Sequence, residues 1–256
     1  MGTNTKEKGE GKKQKENQTE KGLLEILRLG KIELVGQFIW GSNHTLLAKV
    51  QHRSGDVEAI YKPQRGERPL WDFPDETLAG REVAAYLVSE ALGWEMVPPT
   101  VYRQDGPYGP GSLQLRVDHD PGLHYFIFDQ PTRQQLRPVA LFDLIVNNAD
   151  RKGGHILLDR EAKIWLIDHG ICFHTEPKLR TVVWDFVGES IPAELLASVS
   201  SLKNQLRVET KLGSELGLYL SDEELLALEE RLKAVLTEPR FPKIPVNERV
   251  TPWPLV

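Results

Sequence analysis

The chain of 256 residues is 40% hydrophobic and 27% charged, enough to bury a sizeable core in one two-lobed domain or two small ones. Its net charge of −5 argues against a dedicated nucleic-acid binder, which carries a basic surplus, and no apolar run reaches the ~18 residues that a membrane span needs. Cys172 is the sole cysteine, so no intrachain disulfide can form; with no apolar secretory signal at the N-terminus, a reducing cytoplasm fits.

Residues 1–21 hold almost nothing but Lys, Glu, Gln, Asn, Thr and Gly. Such a stretch cannot offset its ordering entropy and is expected to be a disordered, solvated tail. Leu23, Leu24, Ile26, Leu27 and Leu29 predict a short helix that Gly30 ends. Three strand-like runs follow, Glu33 to Phe38, Thr45 to Val50 and Val57 to Tyr61, joined by turns at Trp40 to His44 and Ser54 to Asp56. That is an antiparallel meander.

The third strand ends in Lys62, a charge that is costly at the edge of a buried strand unless it is paired. Its candidate partner is Glu82, which borders the apolar stripe Ala79, Val83, Tyr86 and Leu87 of a helix predicted from Asp75 to Leu92 and closed by Gly93. Met96 to Tyr102 and Gly111 to Val117 read as two more strands around a Gly/Pro turn. Arg137-Pro138 opens a helix with Val139, Leu141, Phe142, Leu144 and Ile145 on its apolar side.

That helix leads into Asn147-Asn148-Ala149-Asp150-Arg151-Lys152-Gly153-Gly154-His155. Ile156 to Leu158 and Ile164 to Ile167 flank a turn at Asp159 to Ala162, which predicts a β-hairpin leaving into Asp168-His169-Gly170. The hairpin sets Asp150, His155 and Asp168 close together. Two carboxylates and an imidazole so placed can hold a divalent cation and orient a hydroxyl. Beyond it, Phe173 to Pro192 is irregular, then helices are expected at Ala193 to Lys203, at Glu209 to Leu220, and from the Ser221 to Glu224 capping box to Leu236. Residues 239–256 are rich in Pro and Arg and are expected to lie extended along the surface.

The segments Asp150-Arg151-Lys152-Gly153-Gly154-His155 and Asp168-His169-Gly170 resemble the catalytic and metal-binding loops of the phosphoinositide 3-/4-kinase superfamily, here in a short bacterial-type form. His155 stands where that pattern has a metal-binding Asn, and His169 where it has Phe; the Asp150 to Lys152 order is similar to that of protein kinases. The resemblance covers about Val35 to Phe173. It implies an α+β, bilobal protein-kinase-like fold: a small antiparallel-sheet lobe with one helix over 22–117, a mainly helical large lobe over 118–238, and an extended tail over 239–256.

It also implies the site. Gly41, Ser42 and Asn43 would cover the ATP phosphates, Lys62 held by Glu82 would steady them, and backbone groups around Gln114, Leu115 and Val117 would meet adenine. Asp150 would accept the proton of an acceptor hydroxyl, and Lys152 would stabilise the moving phosphoryl. Asp168 and His155 would hold Mg2+ or Mn2+. Imidazole suits manganese better than magnesium, and a His155 that only hydrogen-bonds within the loop is the alternative. The function implied is a kinase acting on a lipid, a small molecule or a protein. A pseudokinase scaffold, or another ATP-dependent transfer such as adenylylation, is the alternative. The Phe173 to Pro192 segment has no dense basic cluster for a multiply charged head group.

Overall fold

Apolar residues at every second position of Thr45–His52 and Gly55–Pro63 are buried while their neighbours are not, the period of a sheet with one covered face. The computed structural model describes residues 21–38, 45–207, 209–246 and 248–256. The expected tail and the Gly41-Ser42-Asn43 turn lie outside the described residues, save Lys21. The chain divides into two compact units, one made of the residues up to Arg68 with Pro99–Arg116, the other of Pro69–Pro98 with Val117–Val256.

The first unit is a five-stranded antiparallel sheet in the order β1-β2-β3-β5-β4: β1 Lys31–Phe38, β2 Thr45–His52, β3 Gly55–Pro63, β4 Thr100–Arg103 and β5 Gly111–Leu115. Helix α1, residues 21–29, buries Ile26 and Leu27 with Val50, Tyr61 and Leu113 of the sheet. The Arg103 guanidinium donates to the carbonyls of Leu27 and Gly30, at 2.8 and 2.9 Å, and so satisfies the end of α1. The predicted strand from Met96 is shorter than expected. Pro98 and Pro99 cannot donate to a ladder, and pairing begins at Thr100.

The second unit carries α2 Leu78–Ala91, α3 Gln130–Gln134, α4 Arg137–Val146, a two-stranded hairpin of β6 Ile156–Leu158 and β7 Ile164–Leu166, α5 Ala193–Gln205, α6 Lys211–Leu216 and α7 Asp222–Thr237. This unit resumes at Val117, close to the expected start of the large lobe, but it also takes in Pro69–Pro98 and with it α2, which was expected with the sheet. The reason is Arg81, 1% exposed. It donates to the Cys172 carbonyl at 2.7 Å, pairs with Glu224, and lies 4.9 Å over the Phe73 ring. Glu224 is also the capping-box residue of α7, accepting from Ser221 N at 3.0 Å, so one carboxylate ties two helices together.

Residues 239–256 are more than a surface strand. Phe241 is buried against Phe186, ring centroids 5.6 Å apart, and the Val250 carbonyl accepts from Thr181 N at 3.0 Å and from the Trp184 indole at 3.2 Å. Among the described residues no helix is long and apolar enough to cross a membrane.

Candidate active site

Helix α4 ends because Asn147 adopts the left-handed conformation, φ 52 and ψ 54, which Asn tolerates better than most residues. Its side chain then fastens the chain beyond the hairpin: Nδ2 donates to the His174 and Glu176 carbonyls at 2.9 and 2.7 Å, and Oδ1 accepts from Lys178 N at 2.8 Å. Asn148 fixes the next turn, accepting from Asp150 N at 2.9 Å and donating to Asp143 at 3.0 Å. Asp150 is thus held by its own backbone before its carboxylate meets anything.

That carboxylate lies 3.3 Å from the Lys152 ammonium. Burial pushes the Asp150 carboxyl above the usual carboxylate range; Lys152 opposes the shift and the charge of Asp168 adds to it. A carboxylate whose proton affinity is raised in this way is suited to accepting a proton.

The hairpin delivers Asp168 at its exit with φ 60, and His155 enters from the other strand. Their side chains meet, His155 Nε2 standing 3.3 Å from Asp168 Oδ2. On its far side the imidazole Nδ1 accepts from Lys152 N at 3.4 Å. That places the ring proton on Nε2, directed at Asp168. For His155 to ligate a metal through Nε2, this proton must move and the Lys152 contact must open.

Among the described residues no group of three or more His, Cys, Asp or Glu side chains converges as a metal cage. Two protein donors still fit a metal–nucleotide site, because magnesium bound with phosphates takes only one or two carboxylates from the protein and fills the rest with phosphate oxygens and water.

Glu82 is buried on α2, and its Oε2 accepts from His169 N at 2.9 Å and stands 4.0 Å from His169 Nδ1. Gly170 permits this approach: a Cβ there would lie 3.3 Å from Leu78 Cβ and 3.8 Å from Glu82 Oε1. Lys62, on the sheet unit, lies in register with Ser112 on the face opposite Ala59 and Tyr61. Gln114 is buried and donates to Thr100 Oγ1 at 2.9 Å. Leu115 N donates to Pro99 O and Arg116 N to Glu58 O, and the Val117 carbonyl is 3.0 Å from His119 Nδ1, so much of the predicted adenine-reading backbone is already bonded within the protein.

Two residues that sequence reasoning gave no role, Arg151 and Asp143, hold the site together. Arg151 is fully buried and forks onto Asp143, also fully buried, with Nε–O distances of 3.0 and 3.1 Å and Nη2–Oδ1 3.0 Å. Asp143 is completed by Asn148 and by Thr181 Oγ1 at 3.1 Å. Arg151 Nη1 reaches the carbonyls of His155 at 3.3 Å and Ile167 at 2.9 Å, and Nη2 reaches His169 Nε2 at 2.7 Å. One guanidinium therefore joins both hairpin strands to α4. The signal was present: Asp143 is the lone acid inside the apolar run Val139 to Val146, and a buried acid needs a cation.

The C-terminal segment also touches the site. Gly153 N donates to the Leu255 carbonyl at 2.7 Å, and a Cβ at Gly153 would stand 2.9 Å from the Phe126 ring.

No protein-family model matches the chain. Protein Rv2133c of Mycobacterium tuberculosis is 38% identical over 264 positions, which span 90% of this chain and 94% of that protein. Phosphatidylinositol 4-kinase gamma 4 of Oryza sativa is 30% identical over 148 residues, and phosphatidylinositol 4-kinase gamma 3 of Arabidopsis thaliana 27% over 168; the matched parts are 48% and 50% of this chain but only 25% and 28% of the plant proteins. Among solved structures, the Golgi casein kinase with Mn/ADP bound superposes with a TM-score of 0.56 at 13% identity, over 87% of this chain and 75% of that one. The Helicobacter pylori proinflammatory kinase CtkA gives 0.52 at 11% identity, over 83% and 94%. The α+β fold is therefore kinase-like, with its antiparallel sheet and helical parts, and the chain belongs to one family with the mycobacterial Protein Rv2133c.

Proposed function

We propose that the protein is an ATP-dependent phosphotransferase of the phosphoinositide 3-/4-kinase-like type, moving the γ-phosphoryl group to the hydroxyl of a lipid, small-molecule or protein acceptor. The observation that carries this is the gathering of Asp150, Lys152, His155 and Asp168 at one end of the hairpin. Phosphoryl transfer is catalysed mainly by positioning and charge neutralisation, and these side chains supply both.

Asp150, raised by burial, orients the acceptor hydroxyl and takes its proton. Lys152 stands beside it to stabilise charge on the moving group. Asp168 is the carboxylate that would hold Mg2+ or Mn2+, with His155 as neighbour; when bound, the cation neutralises charge on the phosphates. In this reading Lys62 pairs with Glu82 and steadies the α- and β-phosphates, Gly41 to Asn43 cover them, and adenine meets the backbone about Gln114, Leu115 and Val117. The matches to plant phosphatidylinositol 4-kinases and the Mn/ADP bound to the structurally similar Golgi casein kinase support the nucleotide and the metal.

A second reading has one observation in its favour. The proton on His155 Nε2 points at Asp168, which suits a nucleotide-binding module that transfers nothing. ATP labelled separately at the α- and γ-phosphates, incubated with candidate lipid, small-molecule and protein acceptors, separates the possibilities. Transfer of γ-label alone supports the kinase reading. Transfer of α-label marks adenylylation, and binding without transfer of either marks the module.

A further inference from the structure

Arg151 carries only donors. A histidine nitrogen 2.7 Å from its Nη2 must therefore be an acceptor, so His169 Nε2 keeps its lone pair and the neutral ring holds its proton on Nδ1. Nδ1 stands 4.0 Å from Glu82 Oε2, too far for a hydrogen bond, and it is the His169 backbone N–H that donates to that oxygen, at 2.9 Å. The polar chain thus runs in one direction, with Asp143 and His169 both accepting from Arg151 and the His169 backbone N–H donating to Glu82. It is closed to solvent, since Asp143, Arg151 and His169 are 0% exposed and Glu82 4%. The His169 ring is fixed further by its edge-on contact with Phe142, centroids 5.6 Å apart at 88°.

We propose that His169 is a positioning residue: its imidazole accepts from Arg151 while its backbone N–H holds Glu82, so the residue ties the Arg151–Asp143 pair to Glu82 and fixes the carboxylates of Glu82 and Asp168 before nucleotide binds. This rests on the phosphotransferase reading for the roles of Glu82 and Asp168. The imidazole itself touches neither substrate nor metal. By holding the His169 backbone in place, it acts through two neighbours: Asp168, the preceding residue in the chain, and Glu82, which accepts from the His169 backbone N–H. A phenylalanine would fill similar space without accepting from Arg151, and would leave a buried guanidinium donor unmatched. Groups behind the direct ligands act in this way on many metal sites, by fixing the ligands' orientation.

Two measurements test this, one independent of catalysis. Long-range 1H–15N spectra of the full chain labelled on histidine should show His169 as a static Nδ1–H tautomer, assigned by the signal lost in His169→Gln. A Nε2–H tautomer, or a ring averaging between forms, overturns the bridge. By calorimetry, His169→Phe should weaken Mg·ATP binding by about 10- to 100-fold, and His169→Gln, which can still accept from Arg151, should recover most of the loss. A residue that only packs would lower the folded fraction and leave the affinity of the folded protein unchanged, so native affinity in His169→Phe overturns the proposal. If the native protein binds no Mg·ATP, the kinase reading fails, and the tautomer alone decides the bridge. If His169→Phe does not fold, the Gln variant must bind Mg·ATP nearly as the native protein does; a 10-fold or greater loss there, ~1.4 kcal/mol, overturns the proposal.

Discussion

Replacing Asp143 by alanine would leave Arg151 buried without its counterion. Asp143 receives three contacts from the Arg151 fork, one from Asn148 and one from Thr181, and neither it nor Arg151 has any exposed surface. Removing one partner of such a pair costs about 3–5 kcal/mol, against a total folding stability of about 5–15 kcal/mol. For a chain of this size each kcal/mol moves Tm by roughly 2–4 °C, so Asp143→Ala should lower Tm by about 6–20 °C. Thermal unfolding followed by circular dichroism reads this directly. The double variant Asp143→Leu/Arg151→Met removes both charges, and a buried pair replaced by apolar residues is often neutral or better. Here it also strips donors from the carbonyls of His155 and Ile167, at about 1–3 kcal/mol for each buried acceptor left unmatched. The double variant should therefore be more stable than Asp143→Ala yet below the native protein. A loss under ~2 °C in Asp143→Ala would mean that the pair is solvated, and the reasoning would fail.

Four further outcomes are expected. Asp168→Asn should weaken metal–nucleotide binding, whereas Asp150→Asn should leave binding largely intact and suppress transfer; equal loss of affinity in both would refute Asp150 as the base. Because the Lys152 ammonium holds the Asp150 carboxyl down against burial, Lys152→Met should move the acid limb of the rate profile to higher pH, and a limb that stays or falls would contradict that electrostatic order. His155→Asn should leave the Mn/Mg preference unchanged, since the ring proton faces Asp168; a shift toward magnesium in metal titrations would return His155 to the metal shell. Phe241→Ala should cost about 3–5 kcal/mol as a buried ring deletion, read by urea unfolding, and a negligible change would show that residues 239–256 are not docked.

Periodicity and turn chemistry carried most of the secondary structure. The hairpin around Asp159 to Ala162 forms where it was predicted, and the structure pairs Ile156 with Leu166 and Leu158 with Ile164, because short apolar runs flanked by turn residues leave few other pairings. The capping box at Ser221 marked the start of α7 for a similar local reason. What escaped was long-range. Asp143 and Arg151 are eight residues apart across a helix end, and Arg151 looked like one more polar residue of a loop until the loop folded back over α4. Helix α2 carries an ordinary amphipathic stripe, and Arg81 reaching Cys172 and Glu224, with Glu82 accepting from His169 N, reveals which unit claims it. The last eighteen residues have no period at all; a single buried ring, Phe241, and backbone bonds from Val250 and Leu255 fix their course.

Cys172 has its carbonyl bound by Arg81, and its thiol is fully buried and pushed well above the ordinary range by that burial. Only a thiolate attacks a maleimide at a useful rate, so the native protein is silent to such reagents although it contains a cysteine. A single cysteine introduced at Trp253, which is 77% exposed and two residues from the carbonyl that binds Gly153, would then be the one position to take a fluorophore or spin label. In the phosphotransferase reading, a reporter placed there would sense nucleotide arriving at the Asp150 loop without any change to the residues that meet it.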